Sequence, residues 1–498
     1  MESDKRIKIE GEGHLINKDS SKRFPVKFEV EQIQTGKISG KCTLSGFEYE
    51  DILSPSQLKK CRIISGNLIK TNDKMYEFIL EYFRNFSLEG ETDNRDNVIV
   101  KNIFTYSIKY SSSRPRTLNL EFSAREVEVV YETISSKDQL WIEYGIINLN
   151  LTLLLRGHIE TDIGKITFLK WKDHDETIKK METFKTPLIS GLLNITDVNI
   201  GNFESFDSYL EISNATIEKV LELLSLAQST YLSYCSICIY AKTPTPNSQD
   251  DYKLKRMTML NIKKKTPSLG QPLISDWEDI YNFISPKTIQ KYSDLRDKCD
   301  LNIALEWYLE SLSHGVLQSD YLLACTCLEL LKDRYNKKID NEYIINQKEF
   351  DDKKYKHDFK KAIKNVLKVK GANKEIRAEI YANLEGINRT SFKNSLLRLL
   401  EDHRIIYNDL FTDIKEITKI RDQITHMGIQ EIPPIELNDV NQRLICLIQR
   451  IFLALLKYKG SFLDRNDGYT QRKFTDFISG GQHARTAEEI SRCENGAR

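Results

Sequence analysis

The feature that most restricts this chain is a change of hydrophobic period part-way along it. Over roughly the first two hundred residues, apolar side chains recur at every second position, as at Val26, Phe28 and Val30 or Leu118, Leu120 and Phe122. A period of two belongs to a strand with one buried face. From about Asp276 the apolar residues recur at threes and fours, as at Leu301, Leu305, Tyr308 and Leu312, which is the period of an amphipathic helix. A single type of layer cannot serve both patterns, so the chain must divide into a β-rich part and an α-helical part.

The β material is "RFPVKFEVEQ", "KISGKCTLSG", "NVIVKNIFTYSIKY", "TLNLEFSAREVEVVYE" and "LWIEYGIINLNLTLLL", punctuated by Gly, Asn and Ser. It predicts a largely antiparallel sandwich or barrel-like domain, with a helix near "DKMYEFILEYFRNF". "SNATIEKVLELLSLAQ" then carries a Ser/Asn cap and helical spacing at Ile217, Val220, Leu221 and Leu224. A strand-like "TYLSYCSICIYAK" and a proline-rich loop, "TPTPNSQDD", follow. Residues 1–270 therefore read as a β-rich domain with some helix, suited to sensing or regulation. Residues 276–463 read as an all-α bundle, and 464–498 as a polar, frayed tail. "YLLACTCLELLKDRY" is apolar nearly all round and predicts a central buried helix. "DHRIIYNDLFTDIKEITKIRDQITH" and "VNQRLICLIQRIFLALLKY" predict two more, and "KKYKHDFKKAIKNVLKVKGANKEIRAEIYANL" two shorter ones. The expected class is α+β multidomain.

Length and composition allow this division. A chain of 498 residues with 40% hydrophobic and 29% charged residues can bury two or three cores. The formal net charge is +1, so contact with a polyanion must come from local clusters and not from the overall field. Nine cysteines are scattered, several within apolar runs, which suits reduced thiols better than a disulfide framework. "MESDKRIKIEGEGH" lacks a signal-type apolar core, and no run reaches the roughly 18 apolar residues of a membrane span. The expectation is a cytoplasmic protein with no membrane partner.

One stretch of the helical half carries a chemical demand: "EITKIRDQITHMGIQEIPP", residues 416–434. Leu410, Ile414, Ile417 and Ile424 define an apolar stripe, and their spacing places Arg421 within it. A guanidinium cannot give up its charge, so a buried Arg421 needs a carboxylate, a subunit interface or an anionic ligand. Asp422 and Glu329 are candidate carboxylates; Glu329 is an acid inside the apolar "CLELL". His426 follows five residues later, about 140° around an ideal helix. The two side chains converge only if the helix unwinds near Thr425 or if a second subunit closes the site. Alternatively, Arg421 is a buried ion pair, and His426 simply complements the dipole at a helix C-terminus.

Two basic runs could contact a nucleic-acid backbone. Residues 353–370 hold eight lysines, among them Lys353, Lys354, Lys356, Lys360, Lys361 and Lys364, with Tyr355 and Phe359 interleaved. Residues 253–265 hold six basic residues and no acid. Lysine runs more often serve simply as solvated faces, and of the two the run 353–370, within the helical half, is the better RNA candidate. "CSIC", Cys235 to Cys238, has metal-pair spacing but no second pair, which favours packing. "HDE" at 174–176 lies in a charged stretch with no evident partner. No Walker loop, nucleophile elbow or paired-carboxylate motif is present, so no metal and no cofactor are expected.

"RDQITH" resembles the signature of the HEPN superfamily: an Arg, here Arg421, a polar residue, here Asp422, and then a His, here His426. "IALEWYLESLSHGVLQSDYLLACTCLELL" resembles the opening helices of the ApeA-like subgroup, and "KISGKCTLSG" with its neighbours the β-rich domain that often precedes it. The resemblance spans roughly residues 296–460. It implies a metal-independent endoribonuclease, homodimeric through its helical domain, in a bacterial antiviral (abortive-infection) or toxin setting. The implied substrate is a structured RNA such as tRNA, and the implied trigger is phage-derived. Arg421, His426 and Asp422 would be the catalytic residues, with Glu329 in support. The rival expectations are a HEPN module that binds RNA or a nucleotide without cutting, and a β-rich recognition domain on a helical dimerisation platform.

Overall fold

The computed structural model describes residues 7–17, 23–45, 63–64, 67–68, 86–92, 96–111, 117–135, 138–151, 157–171, 173–184, 186–198, 200–242, 252–262, 271–312, 315–339, 342–353, 355–370, 374–375, 380, 388–427 and 432–478. The chain forms two compact units, residues 1–225 with 230–269, and residues 226–229 with 270–498. The β-rich half and the helical half expected from the change of period are both present.

The β-rich unit is built on strands β1 (Ile7–Asn17), β2 (Arg23–Gln32), β3 (Ile38–Ser45), β4 (Phe86–Thr92), β5 (Asn97–Ser111) and β6 (Thr117–Val130). All pair antiparallel in the order β6-β3-β2-β1-β4-β5, and β5 returns to β6, which closes a six-stranded barrel. Alternation explains the closure: every second residue of β2 is buried, and Val26, Phe28 and Val30 meet Leu44, Leu88, Val100 and Phe122 inside. Where β1 crosses β4 the backbones nearly touch. A Cβ at Gly11 would lie 2.1 Å from the Glu91 carbonyl oxygen, so only glycine fits there.

Strand β6 is long enough to serve two structures. Its first half pairs with β3, and residues Glu126–Val130 pair with β12 (Lys253–Leu260). An open antiparallel sheet continues from that edge through β11 (Ser233–Lys242), β7 (Gln139–Ile147), β10 (Ile189–Thr196), β9 (Gly164–Lys170) and β8 (His158–Thr161). Helix α1 is His174–Phe184 and α2 is Phe206–Gln228. Helix α2 lies against the face of the sheet that carries Tyr144, whose hydroxyl donates to Asn214 Oδ1 at 3.0 Å. The cap expected at Ser213 is displaced: Ser213 is buried within α2, and the Ser205 hydroxyl accepts from the Ser208 N–H at 3.1 Å two turns upstream. The helix expected near "DKMYEFILEYFRNF" lies outside the described residues.

The helical unit comprises α3 (Trp277–Phe283), α4 (Pro286–Cys299), α5 (Leu301–Glu310), α6 (Leu317–Lys338), α7 (Gln347–Asp352), α8 (Tyr355–Val369), α9 (Phe392–Asp402), α10 (Lys415–Met427) and α11 (Pro434–Leu455). Helix α6 is the expected central one, and α4, α5, α9, α10 and α11 all pack on it. It buries Tyr321, Ala324, Cys325, Cys327, Leu328 and Leu331, each large apolar group worth about 1.5–3 kcal/mol. Helix α11 starts with Pro434, whose missing N–H would have had no helical partner, and is buried continuously from Leu444 to Leu455.

The structure departs from the sequence pattern at two places in this unit. The run 402–426 is not one helix: α10 begins only at Lys415, whose N–H is accepted by Asp413 Oδ1 at 3.0 Å. The preceding residues fold as turns because the carbonyl of Ile406 and the carboxylate of Asp409 are taken by Arg450 at 2.9 and 2.7 Å. Residues 464–478, expected to belong to a frayed tail, are ordered. Strands β13 (Ser461–Asp464) and β14 (Thr470–Lys473) pair, and Phe462 packs against Phe474 and Phe477 at ring distances of 5.9 and 5.3 Å. Phe474 and Phe477 of that short span, packed on Phe462 just before it, supply the anchor that its polar composition hides.

Candidate functional site

Helices α6 and α10 meet where the sequence demanded a partner for Arg421. The hydroxyl of Tyr321 on α6 donates to the Ile417 carbonyl on α10 at 3.0 Å, fixing the register of the pair. Four residues along α10, the Arg421 Nη1 donates to Glu329 of α6. Its Nε and Nη2 both donate to Asp422 Oδ1, at 3.1 and 2.9 Å. Both candidate carboxylates therefore hold the guanidinium. The Arg421 side chain is 32% exposed and Glu329 37% exposed, so the cluster lies at the surface edge of the helix pair. Burial works against the charge on Arg421, but Asp422 and Glu329 outweigh it and strengthen its hold on the proton.

The stripe beneath is slightly rotated from the expected one. Ile417 and Ile420 are buried, and Ile424 is only half-buried. Leu410 and Ile414 are buried as expected, but ahead of the helix. Cys325 lies under the cluster at 3% exposure, and burial pushes its thiol up to about 12, which leaves it protonated and unreactive.

His426 does not join Arg421 within one chain. Helix α10 runs unbroken to Met427, so the unwinding near Thr425 that could bring them together does not occur. The Thr425 hydroxyl instead donates back to the Arg421 carbonyl at 2.8 Å. Five residues of regular helix leave the two side chains about 140° apart. His426 is exposed, and no hydrogen bond to it is found among the described residues.

The lysines stand elsewhere. Lys356, Lys360, Lys361 and Lys364 belong to α8, which packs on α7. Lys353 precedes α8 and pairs with Glu349 at 2.6 Å, while Lys361 and Lys364 are exposed. Lys354 lies outside the described residues.

Two arginines that sequence reasoning passed over tie the site in place. Arg443 of α11 donates to Glu416 at 3.1 Å and to the Leu410 carbonyl at 2.9 Å, locking the start of α10. Arg450, fully buried, holds Asp409 through both oxygens and lies 4.1 Å from the Phe477 ring centre. The signal for Arg450 was available: an arginine inside "CLIQRIFLALL" poses the same demand as Glu329 inside "CLELL".

Other sequence candidates resolve as packing. His174 is buried; its Nε2 accepts from the Leu151 N–H at 3.1 Å and its Nδ1 faces the Ser190 carbonyl at 2.5 Å, which describes a neutral structural imidazole. Cys235 packs with Ile147 and Ile189, and burial pushes both it and Cys238 up to about 12. Among the described residues no group of His, Cys, Asp and Glu could hold a metal ion, and no helix is long and apolar enough to cross a membrane.

Residues 294–475 match the family of the YopA C-terminal domain. That match spans α5 to β14 together with the end of α4, so it includes both the Arg421 cluster and the ordered hairpin. No curated protein and no solved structure matches the chain.

Proposed function

We propose that the helical unit is a HEPN-type, metal-independent endoribonuclease that works as a homodimer, with the β-rich unit in a sensing or regulatory role. The observation that supports this reading is the fixing of Arg421, at the edge of α6 and α10, five residues before an exposed His426 on one continuous helix. In such a site the ribose 2′-OH attacks the adjacent phosphorus and gives its proton to a base. The 5′-oxygen leaves with a proton from an acid, and a 2′,3′-cyclic phosphate and a 5′-OH remain. His426 supplies the imidazole that takes or gives the proton. Arg421 supplies a planar set of donors for the phosphate oxygens as charge builds. Asp422 and Glu329 hold that set of donors in place until substrate arrives. Because Arg421 and His426 diverge within one chain, each active centre combines Arg421 of one subunit with His426 of another.

Exposed Lys361 and Lys364 give the RNA backbone a cationic track, and the target is a structured RNA such as tRNA. DNA lacks the nucleophile and is not cut. The setting is antiviral defence of the abortive-infection type, with a phage-derived trigger that relieves restraint by the β-rich unit.

The direct test is incubation of wild type, Arg421→Ala and His426→Ala with total cellular RNA in EDTA, followed by analysis of fragment ends. Cutting by wild type alone, with cyclic-phosphate ends, supports the reading. Cutting that requires an added metal ion overturns it.

A second reading draws on one observation: the donors of Arg421 are already engaged by two carboxylates. With charges of +1, −1 and −1 the cluster is net −1, which does not attract phosphate. On that reading the unit binds RNA or a nucleotide through the lysines without cutting, and affinity survives His426→Ala with no cleaved product.

A further inference from the structure

The face of the open sheet opposite Tyr144 carries a group of side chains that the fold itself does not require. Register places Trp141 of β7 directly opposite Tyr240 of β11, and Glu143 directly opposite Cys238. On its other side Glu143 is directly opposite Asn194 of β10. Directly opposed residues of an antiparallel pair project from the same face, so these side chains form one patch. Trp141 and Tyr240 approach with ring centres 5.6 Å apart, and Tyr252 meets Trp141 edge-on at 5.8 Å. Trp141, Tyr240, Tyr252 and Glu143 are half-buried, so the patch has an open side, whereas Asn194 at its base is 3% exposed.

Its polar atoms are left without partners. Among the described residues no hydrogen bond or ion pair reaches the Glu143 carboxylate. The Asn194 Oδ1 and the Trp141 Nε1 are buried with no hydrogen-bond partner. Native folds leave few such atoms, and each one calls for a reason. Burial raises the affinity of Glu143 for its proton, the sign of a carboxylate that lacks a counter-charge. Two of the three groups, Glu143 and Asn194 Oδ1, are acceptors, and the rings around them present electron-rich faces. Donors together with positive charge are what this arrangement lacks.

We infer that this patch binds an organic ammonium group: the cation is held by Glu143 and the faces of Trp141, Tyr240 and Tyr252, and its N–H donors reach Glu143 and Asn194. The acceptors favour a primary ammonium over a quaternary one, because only the former can donate. A free amine and a lysine side chain share that chemistry. The inference concerns the β-rich unit and does not rest on the ribonuclease reading of the helical unit.

The test is isothermal titration calorimetry of the full chain with putrescine, with Nα-acetyl-lysine amide and with tetramethylammonium chloride. Saturable binding of putrescine or of acetyl-lysine amide, tighter than that of tetramethylammonium, is expected. Glu143→Gln, which keeps shape and removes charge, should weaken it by at least about tenfold, and Trp141→Leu should also weaken it. Circular dichroism would verify that both variants fold. Binding of putrescine alone identifies a free amine as the natural source, and binding of acetyl-lysine amide alone a lysine side chain; either supports the site. No saturable heat from any probe up to about 10 mM would overturn it. So would equal affinity for tetramethylammonium, or affinity unchanged in folded Glu143→Gln.

Discussion

Arg421 and Glu329 are joined across two helices, and that bond fixes which way the guanidinium points. Glu329 takes Nη1 from α6, while Asp422 takes Nε and Nη2 from the same helix as Arg421. The pair is about one-third exposed on each side. Water screens it, so its value is positional more than energetic. Glu329→Gln should therefore lower stability by less than about 1 kcal/mol by denaturant titration. On the proposed ribonuclease chemistry the same variant should reduce RNA cleavage by about tenfold, through a less well-placed guanidinium. A large stability loss would show that the bond is chiefly structural.

The geometry of α10 makes a sharper prediction about assembly. With Arg421 and His426 about 140° apart on an unbroken helix, the proposed ribonuclease centre would take one residue from each subunit of a dimer. Arg421→Ala and His426→Ala should each be inactive alone. Unfolded and refolded together, half the dimers are mixed, and each mixed dimer holds one intact centre. The mixture should thus regain about a quarter of wild-type cleavage. No regain in a mixture shown to exchange subunits would exclude a shared centre.

Some of this was legible in the chain because isolated residues broke a pattern. An arginine in an apolar stripe and an acid inside "CLELL" each needed a partner, and the structure joins them. Alternation gave the strands, but not their order: closure of the barrel rests on β5 meeting β6 along its whole length, and a period of two says nothing of which edges meet. The break before α10 was hidden for a related reason. Its cause is Arg450, some forty residues onward, which takes the Ile406 carbonyl out of helical use. Local periodicity at Leu410 and Ile414 reported burial correctly and the backbone wrongly.

Arg450 also carries a prediction of its own. The side chain has no exposure, bonds both oxygens of Asp409 and lies against Phe477. Asp409 is partly exposed, but Arg450 also lies 3.5 Å from the buried Asp464, and removing Arg450 leaves that buried carboxylate uncompensated. Arg450→Met should cost about 3–5 kcal/mol in urea unfolding, and should loosen the turn 403–414 and the hairpin 461–473 together. Hydrogen exchange would read both segments. A loss confined to one of them would mean that Arg450 is not the shared anchor.

His403 supplies the pH dependence. Its ring packs edge-on to Tyr335 at 5.2 Å, and its Nε2 is buried without a partner. Burial lowers its pKa from the ordinary 6.5, and Asp402 offsets this only in part. The unfolded chain then binds the proton more readily than the folded one, so stability rises with pH across that interval. The contribution is fully present above pH 6.5 and is lost as pH falls through the lower folded value. His403→Phe keeps the ring against Tyr335 and removes the titration. Melting temperature measured from pH 7.5 downward should therefore fall less steeply below about pH 6.5 in the variant than in wild type. Parallel curves would show that His403 charges in the folded state without cost, and that its burial is looser than the packing against Tyr335 indicates.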